Sequence, residues 1–118
     1  QKFEPEQFST PISPETAAAL TSMMERVVGD PDGTGQMAAI PGVRVAGKTG
    51  TAENGLDASG VDRPFTLWYT GFAPVDNPKV AIAVVIENGG GAAQSFLGSS
   101  YDLPTTVGKQ VMEAVLSQ

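Results

Sequence analysis

The stretch Val43-Arg44-Val45-Ala46-Gly47-Lys48-Thr49-Gly50-Thr51-Ala52-Glu53 puts one cation, two hydroxyls and two glycines on what reads as a β-strand. The pattern predicts a strand over 43–51, in which alternation sends Thr49 and Thr51 to one side and Lys48 to the other. Gly47 and Gly50 leave the backbone bare for something to approach. Lys48 offers three hydrogen-bond donors and a full charge, and each threonine adds a hydroxyl at the spacing of a carboxylate's two oxygens. An unpaired N–H row beside them can pair with an extended peptide, as in strand addition. The outline is that of an anion-binding edge. The plain alternative is a glycine-containing strand end with an exposed lysine, since a three-residue Lys-Thr-Gly pattern recurs easily by chance.

Composition narrows what such an edge can serve. A chain of 118 residues that is 41% hydrophobic can bury one core, so residues 1–118 read as part of a single domain. No run approaches the length of a membrane span and no signal peptide is visible, while a start at Gln1 is expected of a processed product. The formal charge of -6, from 7 Lys+Arg against 13 Asp+Glu, argues against nucleic acid or an anionic membrane as partner. Cysteine is absent, which removes disulfides and thiol catalysis. Histidine is absent too, so neither a Ser-His-Asp triad nor a zinc site of the usual Cys/His kind can be built, and no metal or cofactor is expected. Acid/base chemistry near neutral pH then falls to lysine, tyrosine or a carboxylate.

Outward from the central strand, the remaining elements follow from local signals. Gln1 to Ile12 is a polar, extended lead-in with Pro5 and Pro11. Ser13-Pro14-Glu15-Thr16 opens a helix with a serine cap, a proline at its first position and an acid in its first turn. Ala17, Leu20, Met24, Val27 and Val28 recur at helical spacing, Met23 and Met24 read as core filling, and Gly29 is the stop. Asp30-Pro31-Asp32-Gly33-Thr34-Gly35 is turn chemistry; as a phosphate loop it lacks both a following lysine and a preceding strand. Gln36 to Ile40 reads as one helical turn ended by Pro41-Gly42, and Asn54 to Arg63 as a solvated loop overhanging the strand end.

Two further strands are predicted over 65–73 and 79–87, giving an antiparallel sheet in the order 43–51, 65–73, 79–87. Lys79 to Glu87 is apolar on both alternate sets, so both faces of that strand should be covered. The Gly- and Ser-rich stretch to Tyr101 stays unplaced. Pro104 opens a last helix whose Leu103, Val107, Val111 and Val115 share one face and can cover one side of the sheet. The fold class is α/β (α+β): an antiparallel sheet of three strands against helices, with a second face that expects more protein.

Lys48-Thr49-Gly50-Thr51-Ala52-Glu53, then Trp68-Tyr69-Thr70-Gly71-Phe72-Ala73-Pro74, then a β-run ending in Glu87-Asn88-Gly89-Gly90 and a terminal helix, resembles the C-terminal part of a penicillin-binding protein transpeptidase domain. The order of these pieces covers nearly the whole chain from Ser13 onward, and Lys-Thr-Gly is a signature of these acyl-serine enzymes and their β-lactamase relatives. The threonine after the glycine and the Trp-Tyr-Thr-Gly-Phe-Ala-Pro strand are more similar to the large, class B-like cell-wall transpeptidases than to the small β-lactamases.

That resemblance implies a peptidoglycan D,D-transpeptidase, acting through an acyl-serine intermediate and inhibited by β-lactams, on the extracytoplasmic side of a bacterial membrane. Lys48 would help proton traffic and add positive potential. Thr49 and Thr51 would hydrogen-bond the carboxylate of the D-alanyl-D-alanine stem peptide or of a β-lactam. The Thr51 backbone N–H would be one of two oxyanion-hole donors, and Gly50 would let the peptide lie alongside. The family's Ser-x-x-Lys and Ser-x-Asn motifs are not in this sequence: none of its serines has a lysine three residues on. The resemblance therefore implies that the N-terminal part of the domain, expected as a second polypeptide cleaved from the same precursor or expressed separately, supplies the serine and the membrane anchor, and that this chain alone is inert. The alternatives are a serine β-lactamase or D,D-carboxypeptidase, which send the acyl group to water, and a non-catalytic penicillin-binding sensor module.

Overall fold

The computed structural model describes residues 7–90 and 102–118. After an exposed lead-in, helix α1 (Pro14–Gly29) starts where the Ser13 hydroxyl accepts the Thr16 N–H at 3.2 Å, with Glu15 in the positively polarised first turn. The following turn folds back onto the helix end, its Gly35 N–H donating to the Val27 carbonyl at 2.8 Å. A 3-10 turn then spans Gln36–Ala38, shorter than the turn expected to reach Ile40.

Strands β1 (Ala46–Ala52), β2 (Thr66–Ala73) and β3 (Val80–Ile86) form one antiparallel sheet in the order β1-β2-β3, and helix α2 (Asp102–Leu116) closes the described chain. The mixed α and β architecture with a three-stranded antiparallel sheet is the one expected. β1 starts at Ala46 rather than Val43, because Ile40 and Val43 pair across a tight turn in which Gly42 takes a φ of 75°.

One face of the sheet carries Gly47 and Thr49, Leu67, Tyr69 and Gly71, and Val80, Ile82 and Val84, as the register dictates. Both helices lie over this face, α1 against β1 and α2 across β2 and β3. Val28, Ala38, Val45, Tyr69, Ala73 and Met112 are the buried core there, with Ile82 and Val84 packed against it.

Two expectations about faces need correction. α2 buries Pro104, Thr105, Gly108 and Met112, while Leu103, Val111 and Val115 stay exposed. The reason is close approach: a Cβ on Gly108 would lie 2.6 Å from Tyr69 Cδ1 and 2.9 Å from Ile82 Cδ1, so the helix seats its narrowest residue on the sheet. An apolar stripe marks a helix face, but the space beneath decides which face is used. On β3, only Val80, Ile82, Val84 and Ile86 are half-buried; Ala81, Ala83 and Val85 on the other face are exposed among the described residues.

Candidate functional site

β1 pairs with β2 on one side and with no other described strand, so it is the sheet's edge. Along that edge the structure brings Lys48, Thr49, Gly50 and Thr51 together, with their side chains divided by strand alternation. Lys48 sits opposite Thr70 on the face away from the helices and is exposed, its Nζ donating to the Thr49 carbonyl at 2.5 Å. Gly50 sits opposite Trp68, and a Cβ there would meet only the Trp68 Cβ, at 3.4 Å. Thr51 is exposed.

Thr49 is different. It is only 7% exposed, and its hydroxyl lies 2.7 Å from that of Thr34 in the turn after α1. A hydroxyl donates one proton and accepts at two lone pairs, so this pair leaves capacity at the edge whichever oxygen donates. Thr34 was read from sequence only as a turn residue between two glycines, and no sequence signal tells where its hydroxyl lands. The two strand glycines also part company. Gly50 is open, whereas Gly47 is filled from inside: a Cβ there would lie 2.7 Å from Tyr69 Cε2.

Both ends of β1 are tied down. Ahead of it, the Arg44 guanidinium grips Glu25 of α1 through two bonds of 2.7 and 2.8 Å and also bonds Asp76 in the β2–β3 connection. Beyond it, the 53–65 loop is internally bonded. Leu56 and Asp62 form a bridge, and the Asp57 carboxylate accepts the N–H groups of Ser59 at 2.8 Å and Val61 at 3.0 Å. Asn54 Nδ2 donates to the Pro64 carbonyl at 2.6 Å. Below the edge, burial pushes the Tyr69 phenol up to about 12, and its hydroxyl has no hydrogen-bond partner among the described residues. No group of three His, Cys, Asp or Glu that could hold a metal ion occurs among the described residues.

An exposed lysine and threonine on a free strand edge, braced by a buried threonine pair, suit an anionic group at the end of an extended chain. Comparison with known proteins supplies the lineage. Residues 1–113 match the penicillin binding protein transpeptidase domain. The chain belongs to that family. A peptidoglycan D,D-transpeptidase PbpA of Mycobacterium tuberculosis is 44% identical over 105 residues, which are 89% of this chain and 20% of that protein. The Mycolicibacterium smegmatis protein of the same name is 40% identical over 114 residues, 97% of this chain and 22% of its own length. A solved structure of penicillin-binding protein A from M. tuberculosis, as its penicillin G acyl-enzyme complex, superposes with a TM-score of 0.70 at 40% identity, covering 94% of this chain and 22% of that one. The chain thus spans about a fifth of the length of these penicillin-binding relatives.

Proposed function

We propose that this chain supplies the Lys-Thr-Gly edge of a serine D,D-transpeptidase that cross-links peptidoglycan through an acyl-serine intermediate. The observation that carries this reading is the pairing of family membership with an edge strand on which Lys48 and Thr51 are exposed. Thr51, with Thr49 held by Thr34, hydrogen-bonds the terminal carboxylate of a D-alanyl-D-alanine stem peptide, or that of a β-lactam in its place. The Thr51 N–H serves as an oxyanion donor where the scissile carbonyl gains negative charge. Gly50, open on its outer side, lets the peptide lie along β1. Lys48 raises the local positive potential and takes part in moving the serine's proton. The serine and its Ser-x-x-Lys lysine come from outside these 118 residues, since none of the serines here has a lysine three positions on. The complete protein works on the outer side of the bacterial membrane, where peptidoglycan is built.

The test is to label the full-length protein with a fluorescent penicillin and map the acylated serine by mass spectrometry. Acylation of a Ser-x-x-Lys serine outside residues 1–118 is expected, with no labelling of the isolated chain. A labelled serine within this chain, or none in the full-length protein, would overturn the reading, the latter in favour of a sensor module. A long-lived acyl-enzyme is expected of the transpeptidase, and rapid turnover of the penicillin would instead point to a hydrolase.

A further inference from the structure

Three glycines from three different elements converge on one aromatic ring. Gly47 of β1 and Gly71 of β2 face each other in the ladder, and Gly108 of α2 sits over them. A Cβ at Gly47 would lie 2.7 Å from Tyr69 Cε2, one at Gly71 2.6 Å from the Tyr69 hydroxyl, and one at Gly108 2.6 Å from Tyr69 Cδ1. No side chain larger than hydrogen fits at any of the three positions while the ring stays. The ring is 1% exposed, and its hydroxyl is buried without a partner among the described residues.

We infer that Tyr69 is a positioning residue for the Lys48 strand: its ring, clamped between the bare backbone at Gly47 and Gly71 and the α2 helix at Gly108, sets the height at which β1 presents Lys48. Among the described strands only β2 pairs with β1, and α1, Arg44 and the Thr34–Thr49 pair brace it elsewhere along its length, so its height at Gly47 calls for a local constraint. A rigid ring under Gly47 supplies it one residue before Lys48, whose side chain leaves on the opposite face. α2 has no side chain at Gly108 to yield, so packing of the helix is passed through the ring to the β1 backbone. The inference rests on the transpeptidase reading for the purpose of the positioning, and on the glycine contacts alone for the constraint itself.

The test uses the full-length protein with Tyr69→Phe, Tyr69→Leu, Gly47→Ala and the Gly47→Ala/Tyr69→Leu double variant. Penicillin binding is separated from the acylation step, and amide exchange is followed on the peptide spanning β1, both well below each variant's Tm. Tyr69→Phe is expected to keep the acylation rate and to raise Tm, because the ring stays and an unpaired hydroxyl goes. Tyr69→Leu and Gly47→Ala are each expected to slow the acylation step by roughly tenfold or more and to speed exchange in β1, with smaller changes in penicillin binding. The double variant is expected to regain much of the loss, since leucine ends before the ring atoms that an alanine at 47 would strike.

Folded Tyr69→Leu and Gly47→Ala proteins with unchanged acylation and exchange would overturn the inference, as would a Tyr69→Phe protein that loses acylation. If Tyr69→Leu does not fold, Gly47→Ala, which keeps the ring, decides in the same way. A protein that never acylates but shows the expected exchange changes would refute the transpeptidase reading and leave the constraint standing.

Discussion

The two faces of this sheet are built from the same three strands and could hardly be more different. The inner face holds Leu67, Tyr69, Gly71 and Ala73 under two helices of its own chain, and Tyr69, Leu67 and Met112 are at most 2% exposed. The outer face sets Lys48 and Gly50 beside Trp68 and Thr70, then Ala81, Ala83 and Val85, with Trp68 and Val85 still 45% and 46% exposed. One face is finished by local packing. The other combines a charged edge with apolar residues left open among the described residues. The difference teaches that β1 is shared between the two: Gly47 and Thr49 are packed from below, Thr51 emerges from that same face at its exposed end, and Lys48 leaves on the open face.

The strongest way to break that contrast is a charge placed on β3. Val84→Asp sets a carboxylate against the inner core and is expected to abolish folding of the full-length protein, measured by loss of the cooperative thermal transition. Val85→Asp asks the same of the outer face. Val85 is 46% exposed on the face away from the helices, so a much smaller loss than that of Val84→Asp is expected there. A loss as large as that of Val84→Asp would show that the outer face is covered in the full-length protein. Met112→Ala, which empties a fully buried position of α2, is expected to cost about 2–5 kcal/mol in denaturant unfolding.

Smaller effects sharpen the account. Arg44→Met breaks the bidentate bond to Glu25 and the bond to Asp76, and is expected to lower Tm by a modest amount that shrinks in high salt. A Tm that falls equally at all salt concentrations would mean that packing of the side chain, not its charge, anchors the start of β1. The Tyr69 phenol gives a pH signature. Its folded pKa of about 12 lies above the unfolded value near 10, so stability is unaffected below about pH 10 and falls as pH rises toward 12. Tyr69→Phe is expected to flatten that part of the stability profile relative to the unmutated protein, and parallel profiles would place the phenol in water.

Much of this arrangement was legible in the residues. Ser13-Pro14 fixed the start of α1 because caps and first-turn prolines act locally, and the three strands announced themselves through β-branched and aromatic runs between turn residues. Lys48, Thr49, Gly50 and Thr51 fall together on an edge because they are consecutive, which needs no tertiary knowledge. What could not be read was anything decided by a neighbour distant in sequence. The Leu103–Val107–Val111–Val115 stripe looked like the buried face of α2, yet only Val107 of the four is half-buried, and Gly108 won the seat because only its lack of a side chain admits the Tyr69 ring. Gly47 and Gly50 looked alike, yet one is packed from within and the other open. The Thr34–Thr49 hydroxyl pair joins residues 15 apart through a turn whose path the sequence does not specify.

The most direct measurement is the second-order rate of acylation by a labelled penicillin in the full-length protein with Lys48→Ala, alongside its Tm. Lys48 has an exposed side chain whose hydrogen bond among the described residues is to a neighbouring carbonyl, so Tm is expected to stay within a degree or two while acylation falls by about a hundredfold or more. Acylation at the unmutated rate would contradict the assignment of the site to this strand edge.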